Sequence, residues 1–525
     1  MRKRITMIMA LALLGVTGVY AQSAYDAANI AREDLNGTAR FVGMGGAMSA
    51  LGGDITTMGT NPAGIGIYRS NDAMVSFGYS LTGTEADFAG NTFEREKGRW
   101  SLDNIGFVLA NKFSNISPLR YVNFGFNYKK SKSFYRNMTM QGLLGRAGNG
   151  QYISQVNLMA QQATFAAENV YYNYNEYINF ESPNIFYDEE VGWLGALGYL
   201  GGLTEKDVTS ADYDIYYPLV PSEVDGYFRS QERGGIDEYD FNVAFNISDR
   251  FYLGATVGIH DVDYNKYTLW DEIVLNGDNE SVEYALESYN WIKGTGFDMK
   301  FGLIFRPIET SPLRIGLSLH TPVFYKLTYT TGALLKSDGL EVNTQKYLDG
   351  GDMERDFRLQ TPWVFNASLG YTLGNYFALG AEYEFENYSA MKFKDVDGYE
   401  MGFETEEVKH TLRGVNTFRL GAEFKPVPAF AFRVGYNFSS AAYKSDAFKD
   451  IAVNSINTDT EYSNDKSRNT FTLGIGYRGT VVYADLAYKY DTYKSDFYPF
   501  YDADLMATQV TNTRSQVLFT LGFRY

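Results

Sequence analysis

The sequence predicts an all-β protein: a transmembrane antiparallel β-barrel of about fourteen strands with a segment folded into its lumen and a large, partly helical extracellular insertion. Three observations lead there. In the last ten residues Val517, Phe519, Leu521, Phe523 and Tyr525 occupy the odd positions, while Gln516, Thr520 and Arg524 fall on even ones. Such alternation suits a wall with lipid on one face, because every backbone N–H and C=O must find its partner within the sheet. Aromatic residues make up 16% of the chain, as strands and interfacial girdles require. Finally, short connections alternate with long polar ones along the chain, as in bacterial outer-membrane barrels.

The elements follow in order. Arg2, Lys3 and Arg4 precede an apolar run from Ile5 to Val16 and the small-residue pair Val19 and Ala21, which reads as a signal peptide over residues 1–21. Residues 22–72 lack strand alternation and are rich in Gly and Ala, and a barrel of this size is wide enough to hold them as a hatch. Residues 73–525 form the barrel. Strands are expected at 73–82, 100–112, 120–131, 236–248, 250–263, 294–308 and 313–331, then at 355–372, 375–391, 413–426, 428–442, 467–478, 480–493 and 513–525. The even strands are followed by tight links, among them Ser248–Asp249, Leu373–Gly374, Pro426–Pro428 and Gly479. An even strand number with short periplasmic turns places both termini in the periplasm. Residues 132–235 interrupt one long link and form the extracellular insertion, helix-like near Gln155–Asn169 and apolar over Val191–Leu200.

Composition excludes several classes. The formal charge is −17, which argues against nucleic acid as a partner. There is no cysteine, hence no disulfide framework, thiolate metal site or thiol nucleophile. After the signal no stretch reaches about 18 consecutive apolar residues, so no transmembrane helix is expected. The mean hydropathy of −0.28 says little, since a barrel hides its apolar face in alternation. Asp261, Asp263, Asn265 and Glu272 imitate a calcium loop, but Lys266 stands where the sharp turn needs Gly. His260, His320 and His410 have no metal-ligand spacing, and no nucleophile elbow or phosphate loop is present, so neither a cofactor nor an enzyme activity is expected.

The alternation also orients side chains. If Phe430, Phe432, Val434, Tyr436 and Phe438 face lipid, Arg433 faces the lumen, and by the same rule Lys300, Arg306, Arg314, His320, Glu382, Glu384, Arg419, Glu423, Arg478 and Asp485 point inward. An Arg or Lys on the lipid face at the midplane would cost about 2–4 kcal/mol. Two readings of the inward charges stand side by side. They brace the wall as ion pairs, or Lys300, His320, Glu382, Arg419 and Arg433 line a ligand site, the guanidiniums meeting a carboxylate head. Trp193, Leu194, Leu197 and Leu200 are either the core of the insertion or an exposed patch that captures apolar cargo.

Arg40, the Gly-rich stretch Gly43–Ala47, Asp54 and Asn61-Pro62-Ala63, followed directly by the first strand, resemble the hatch of the FadL-type outer-membrane transport family. Pro362-Trp363 opening the eighth strand and the paired strands Asn416–Gly421 and Phe432–Tyr436 extend the resemblance over nearly the whole chain after residue 21. It implies passive uptake of hydrophobic small molecules such as long-chain fatty acids, with Arg40, Asp54, Asn61, Pro62 and Ala63 in the gating hatch. The implied surroundings are outer-membrane lipid and lipopolysaccharide, with the protein a monomer. The insertion at 132–235 is longer than the corresponding loop of the family and supports a second reading, a docking or shuttle platform for secreted surface proteins.

Overall fold

The computed structural model describes residues 22–113, 117–207, 212–220, 222–275 and 282–525; the expected signal peptide lies outside them. Fourteen antiparallel strands close on themselves. The first, Asp72–Phe88, pairs with the second, Asn91–Lys112, and with the fourteenth, Thr508–Arg524, in a register that sets Phe77 opposite Phe519 and Tyr79 opposite Val517. Asn71 and Tyr525 exchange backbone hydrogen bonds and finish the seam. The third strand, Leu119–Ser133, continues as Arg136–Leu143. Next come Glu223–Ile247, Phe251–Leu275 and Val282–Phe305. The seventh and eighth are each in two pieces, Arg314–His320 with Phe324–Ser337 and Met353–Gln360 with Val364–Leu373. Phe377–Asn387, Gly414–Val427, Phe430–Ser439, Tyr462–Arg478 and Val482–Tyr498 complete the wall.

The expected alternation is present. Phe430, Phe432 and Val434 are about half exposed on the outer face, whereas Ala431 and Arg433 between them are buried. Several strands, however, run far past their expected ends. The fourth and fifth have 25 residues each and pair without a break from Glu223 opposite Leu275 to Ile247 opposite Phe251. About 9–11 residues suffice to cross a bilayer, so the rest stands beyond it. There both faces meet water or protein, the sequence loses its alternation, and period-two reading stops while the ladder continues. For the same reason the long link expected after the first strand is absent. Its residues extend the first two strands to a tight turn at Ala89 and Gly90, whose φ of 49° and 86° suit a two-residue hairpin. The region without wall strands in the third link is 144–222 rather than 132–235.

One rim therefore carries short links and the other the larger segments. The helix Gln155–Tyr174, the helix Trp193–Leu200, the hairpin of Thr204–Asp207 with Ile215–Pro218 and the helix Gly402–Thr411 belong to the second rim. They share one hydrophobic core with the upper strands, built on Trp193, Phe186, Phe228, Trp270 and Phe500. Ser154 caps the long helix by accepting from Val156 N at 3.0 Å, and Asn175 ends it in the left-handed region at φ 56°.

The ladder of the wall is interrupted in two places. The second strand bonds to the third only from Lys112–Tyr121 to Asn104–Lys129. Past that point the third strand shifts register between Lys130 and Lys132 and stays with the fourth strand alone. Only side chains span the gap: Thr84 Oγ1 donates to Asn137 O at 2.6 Å and Arg95 Nε to Thr139 Oγ1 at 3.0 Å. The other interruption crosses three neighbouring strands at Thr321–Val323, Thr361–Trp363 and Tyr388–Met391. Pro322 and Pro362 sit in it, where no ladder donor is required. Pro362-Trp363 thus marks a mid-strand break and not the start of the eighth strand.

Candidate functional site in the lumen

Residues 22–71 occupy the barrel interior. Wall glycines make the seat. Gly370 pairs with Gly380, Gly380 with Gly421 and Gly421 with Gly435, a ladder of inward positions across four strands. A Cβ on Gly380 would lie 2.0 Å from Ala47 O, on Gly421 2.3 Å from Met44 O, and on Gly435 2.2 Å from Gly45 N. Gly302 and Gly254 continue the ledge beneath Asn61 and Pro62. Main chain rests directly on main chain, an approach only glycine allows.

Polar side chains of the wall then take up the segment's free backbone groups. Asn123 donates to Ile65 O at 2.8 Å, Thr256 to Met58 O at 3.0 Å, Ser318 to Thr60 O at 2.7 Å and Thr472 to Gly43 O at 3.2 Å. Such satisfaction is obligatory for an irregular chain buried inside a barrel. Asn61 caps the 3-10 turn Pro62–Ile67 by accepting from Ala63 N at 3.2 Å and donates to Leu303 O at 3.3 Å. Asp54 caps the turn Ile55–Gly59 through Thr56 N and receives the Thr38 hydroxyl at 2.8 Å. Arg40 reaches Gly53 O at 2.8 Å and Glu423 at 3.3 Å, joining segment to wall. The five residues singled out in this segment are thus all fasteners.

The candidate ligand residues of the wall are paired. Arg419 bonds Glu382 at 2.7 Å and Glu384 at 2.6 Å, and Arg433 bonds Glu423 at 2.7 Å and Asp485 at 2.6 Å. Lys300 sits among Glu238, Asp240 at 2.9 Å and Asp298 at 3.7 Å. His320 donates from Nε2 to Thr60 O at 2.8 Å. Carboxylates of the wall thus pair with Lys300, Arg419 and Arg433, the arrangement that the bracing reading expects. The capture patch is corrected. Trp193, Leu194 and Leu197 are fully buried and Leu200 half-buried, because the helix packs into the core of the cap.

A further correction concerns direction. The barrel's first and last strands do meet at the short-link rim, but residues 22–31 lie at the opposite rim. Ala24 N donates to Glu407 in the helix Gly402–Thr411 at 2.8 Å, and Tyr25 stacks on Tyr443 at 5.0 Å. The chain descends through the lumen before it enters the wall.

Where it descends, two chambers of about 140 and 160 Å³ flank Arg32–Asp34. A third, far smaller slot between Arg99, Ser101 and Asp103 of the second strand and Lys132 and Ser133 of the third points into the gap in the wall. Lys132 and Asp34 border all three. Asp34 accepts from Arg514 at 2.7 Å and Arg468 at 3.4 Å, and Arg32 pairs with Asp465 at 2.7 Å. Sequence reading missed this group. The run Lys129-Lys130-Ser131-Lys132 hinted at it, but the register shift at Ser131 inverts the parity by which inward residues are chosen.

No protein-family model and no curated protein matches the sequence. Among solved structures, a Pseudomonas aeruginosa FadL homologue is similar at 12% identity and a TM-score of 0.53, over 94% of this chain and 99% of that one. The P. putida toluene transporter TodX aligns at 11% identity and a TM-score of 0.47, and the Ralstonia pickettii toluene transporter TbuX at 13% and 0.45, each over 94% of this chain and 99% of the other. At such identities the likeness is one of architecture, and it rests on the first of the three: the chain has the fold of a FadL-type barrel.

Proposed function

We propose that this protein is an outer-membrane conduit for passive uptake of hydrophobic small molecules, with long-chain fatty acids as the class to test first. The observation that carries the reading is the gap between the second and third strands above Asn104. It opens a lumen closed by its own N-terminal segment sideways just above the nine paired residues Asn104–Lys112, at the outer edge of the stretch that crosses the bilayer, where a solute that prefers lipid to water can pass from lumen to membrane. The fold shared with a FadL homologue supports the same reading. In this account the capped rim faces outside and the short links face the periplasm. Cargo enters beneath the cap, passes residues 22–71, and leaves sideways.

The test is a clamp across the gap. Cysteines introduced as Ser101→Cys and Ser133→Cys, on the two sides of the slot in the gap, joined by a short bifunctional maleimide, should slow oleate and toluene uptake several-fold, and each cysteine alone should not. Uptake unaffected by a complete cross-link would exclude the lateral route. No uptake by the parental protein above a porin-free background would exclude the function.

A further inference from the structure

At the junction of the three chambers several buried cationic donors lack an acceptor. Lys132 is 4% exposed, and its Nζ is buried without a hydrogen-bond partner. The Nε atoms of Arg32, Arg468 and Arg514 are buried and unpartnered too. The four residues that carry these atoms line connected polar space: Lys132, Arg32 and Arg468 line both chambers, and Arg514 lines the 140 Å³ chamber and the slot. A buried charge-bearing donor left unpaired costs more than an ordinary hydrogen bond returns, so a place with four of them is built for something that brings oxygens.

Five of the nearby acids are already engaged. Asp34 serves Arg468 and Arg514, Asp465 serves Arg32 and accepts from Ser495, and Glu232 serves Arg136 at 2.9 Å. Asp491 accepts the Thr470 hydroxyl and lies 3.5 Å from Lys489. Asp103 accepts from Asn36 at 2.9 Å and from Ser101 at 3.0 Å. Lys132 remains, a buried amine turned inward by the register shift at the mouth of the gap. Bulges re-aim side chains in this way next to functional sites. The size of the space narrows the ligand. Drug-sized ligands fill about 300–1,000 Å³, and neither chamber reaches that, while the lining is mostly charged or hydroxylic.

We propose that this junction binds a compact oxyanion, a phosphate or sulfate group, either free or as the head of a solute whose remainder lies in the gap. The group would accept from Lys132 Nζ and from the free Nε atoms of Arg32, Arg468 and Arg514. This goes beyond uptake of apolar cargo and places an anion-reading site beside the side exit.

The experiment is isothermal titration of the full barrel in neutral detergent with inorganic phosphate, inorganic sulfate and hexyl phosphate. The parental protein should bind at least one of them. Lys132→Met should weaken binding at least tenfold and Arg468→Lys, which keeps the charge but removes Nε, about threefold, while Lys336→Met on the exposed rim should change nothing. Binding of the inorganic ions identifies the free anion as ligand, and binding of hexyl phosphate alone identifies a head group. Heat-modified gel migration reports whether each variant folds, and if Lys132→Met does not, Arg468→Lys carries the comparison. Absence of binding by the parental barrel up to about 10 mM, or equal affinity in the folded variants, overturns the proposal. A barrel that takes up oleate but binds no oxyanion refutes this site alone, and one that binds the oxyanion but takes up no oleate refutes only the uptake reading.

Discussion

Individual residues in the lumen are of two kinds, those that fasten and those that leave room. Arg433 is a fastener: 6% exposed and bound to two carboxylates, it cannot be removed without stranding Asp485, whereas Glu423 keeps Arg40 and Lys425. Arg433→Ala should destabilise the barrel by about 3–5 kcal/mol, read as a lower temperature of gel-shift loss. Adding Asp485→Asn should recover much of that, and failure to recover would show that Arg433 acts through packing. Gly435 leaves room. Its substitution by Val would drive a side chain into Gly45, so Gly435→Val should unseat residues 43–47 while the wall, whose bonds do not pass through them, still forms. The expected result is a normal gel shift with raised single-channel conductance, and an unchanged conductance would argue that the wall glycines are not the seat.

At the scale of elements, the helix Gly402–Thr411 is a pH-sensitive piece of the cap. Burial raises Glu407 to about 8 and Glu404 to about 7, and both carboxyls keep an oxygen without a partner. An acid held neutral in the folded state binds its proton more tightly there than in the unfolded chain. Its contribution is full below the ordinary value of 4.5 and is lost as pH rises through 7 to 8. Proteolysis within residues 395–413 should accelerate between pH 6 and pH 9, and Glu404→Gln with Glu407→Gln should flatten that dependence. An equally steep pH profile in the double variant would assign the effect to other groups. The links also allow a test of sidedness. A cysteine at Leu340, in the hairpin after the seventh strand, should react with impermeant maleimide on whole cells, and one at Val427 should not. The opposite pattern would invert the barrel.

For the whole molecule, the wall was legible because lipid imposes alternation residue by residue: Phe430 to Val434 and Val517 to Phe523 announce their faces without knowing their neighbours. Legibility ended where lipid ends. The outer halves of the fourth and fifth strands, 223–235 and 264–275, are bonded as firmly as the inner halves, but nothing in their polarity distinguishes ladder from loop. In the lumen, Arg40 and Asp54 stood out through the resemblance to a hatch and Asn61-Pro62 also through turn chemistry. Their counterparts Gly380, Gly421 and Gly435 did not, since a glycine on a strand reveals no partner until another backbone is set against it. Lys132 was hidden for a different reason, because one extra residue at Ser131 reverses every parity argument beyond it.

The path of residues 22–71 has a consequence for how this barrel comes into being. They run from the capped rim to the short-link rim through the interior, resting on Gly254, Gly302, Gly380, Gly421 and Gly435 and bonded to Asn123 of the third strand and Thr472 of the twelfth. A chain held from so many sides cannot be threaded into a finished cylinder. The wall must wrap around it, and the joining of Asp72–Asp87 to Gln509–Arg524 must come last, with the lumen already filled. The N-terminal segment is then a mould before it is a stopper, and a chain lacking residues 23–60 should insert into bilayers more slowly than the parent even where the product is a stable pore.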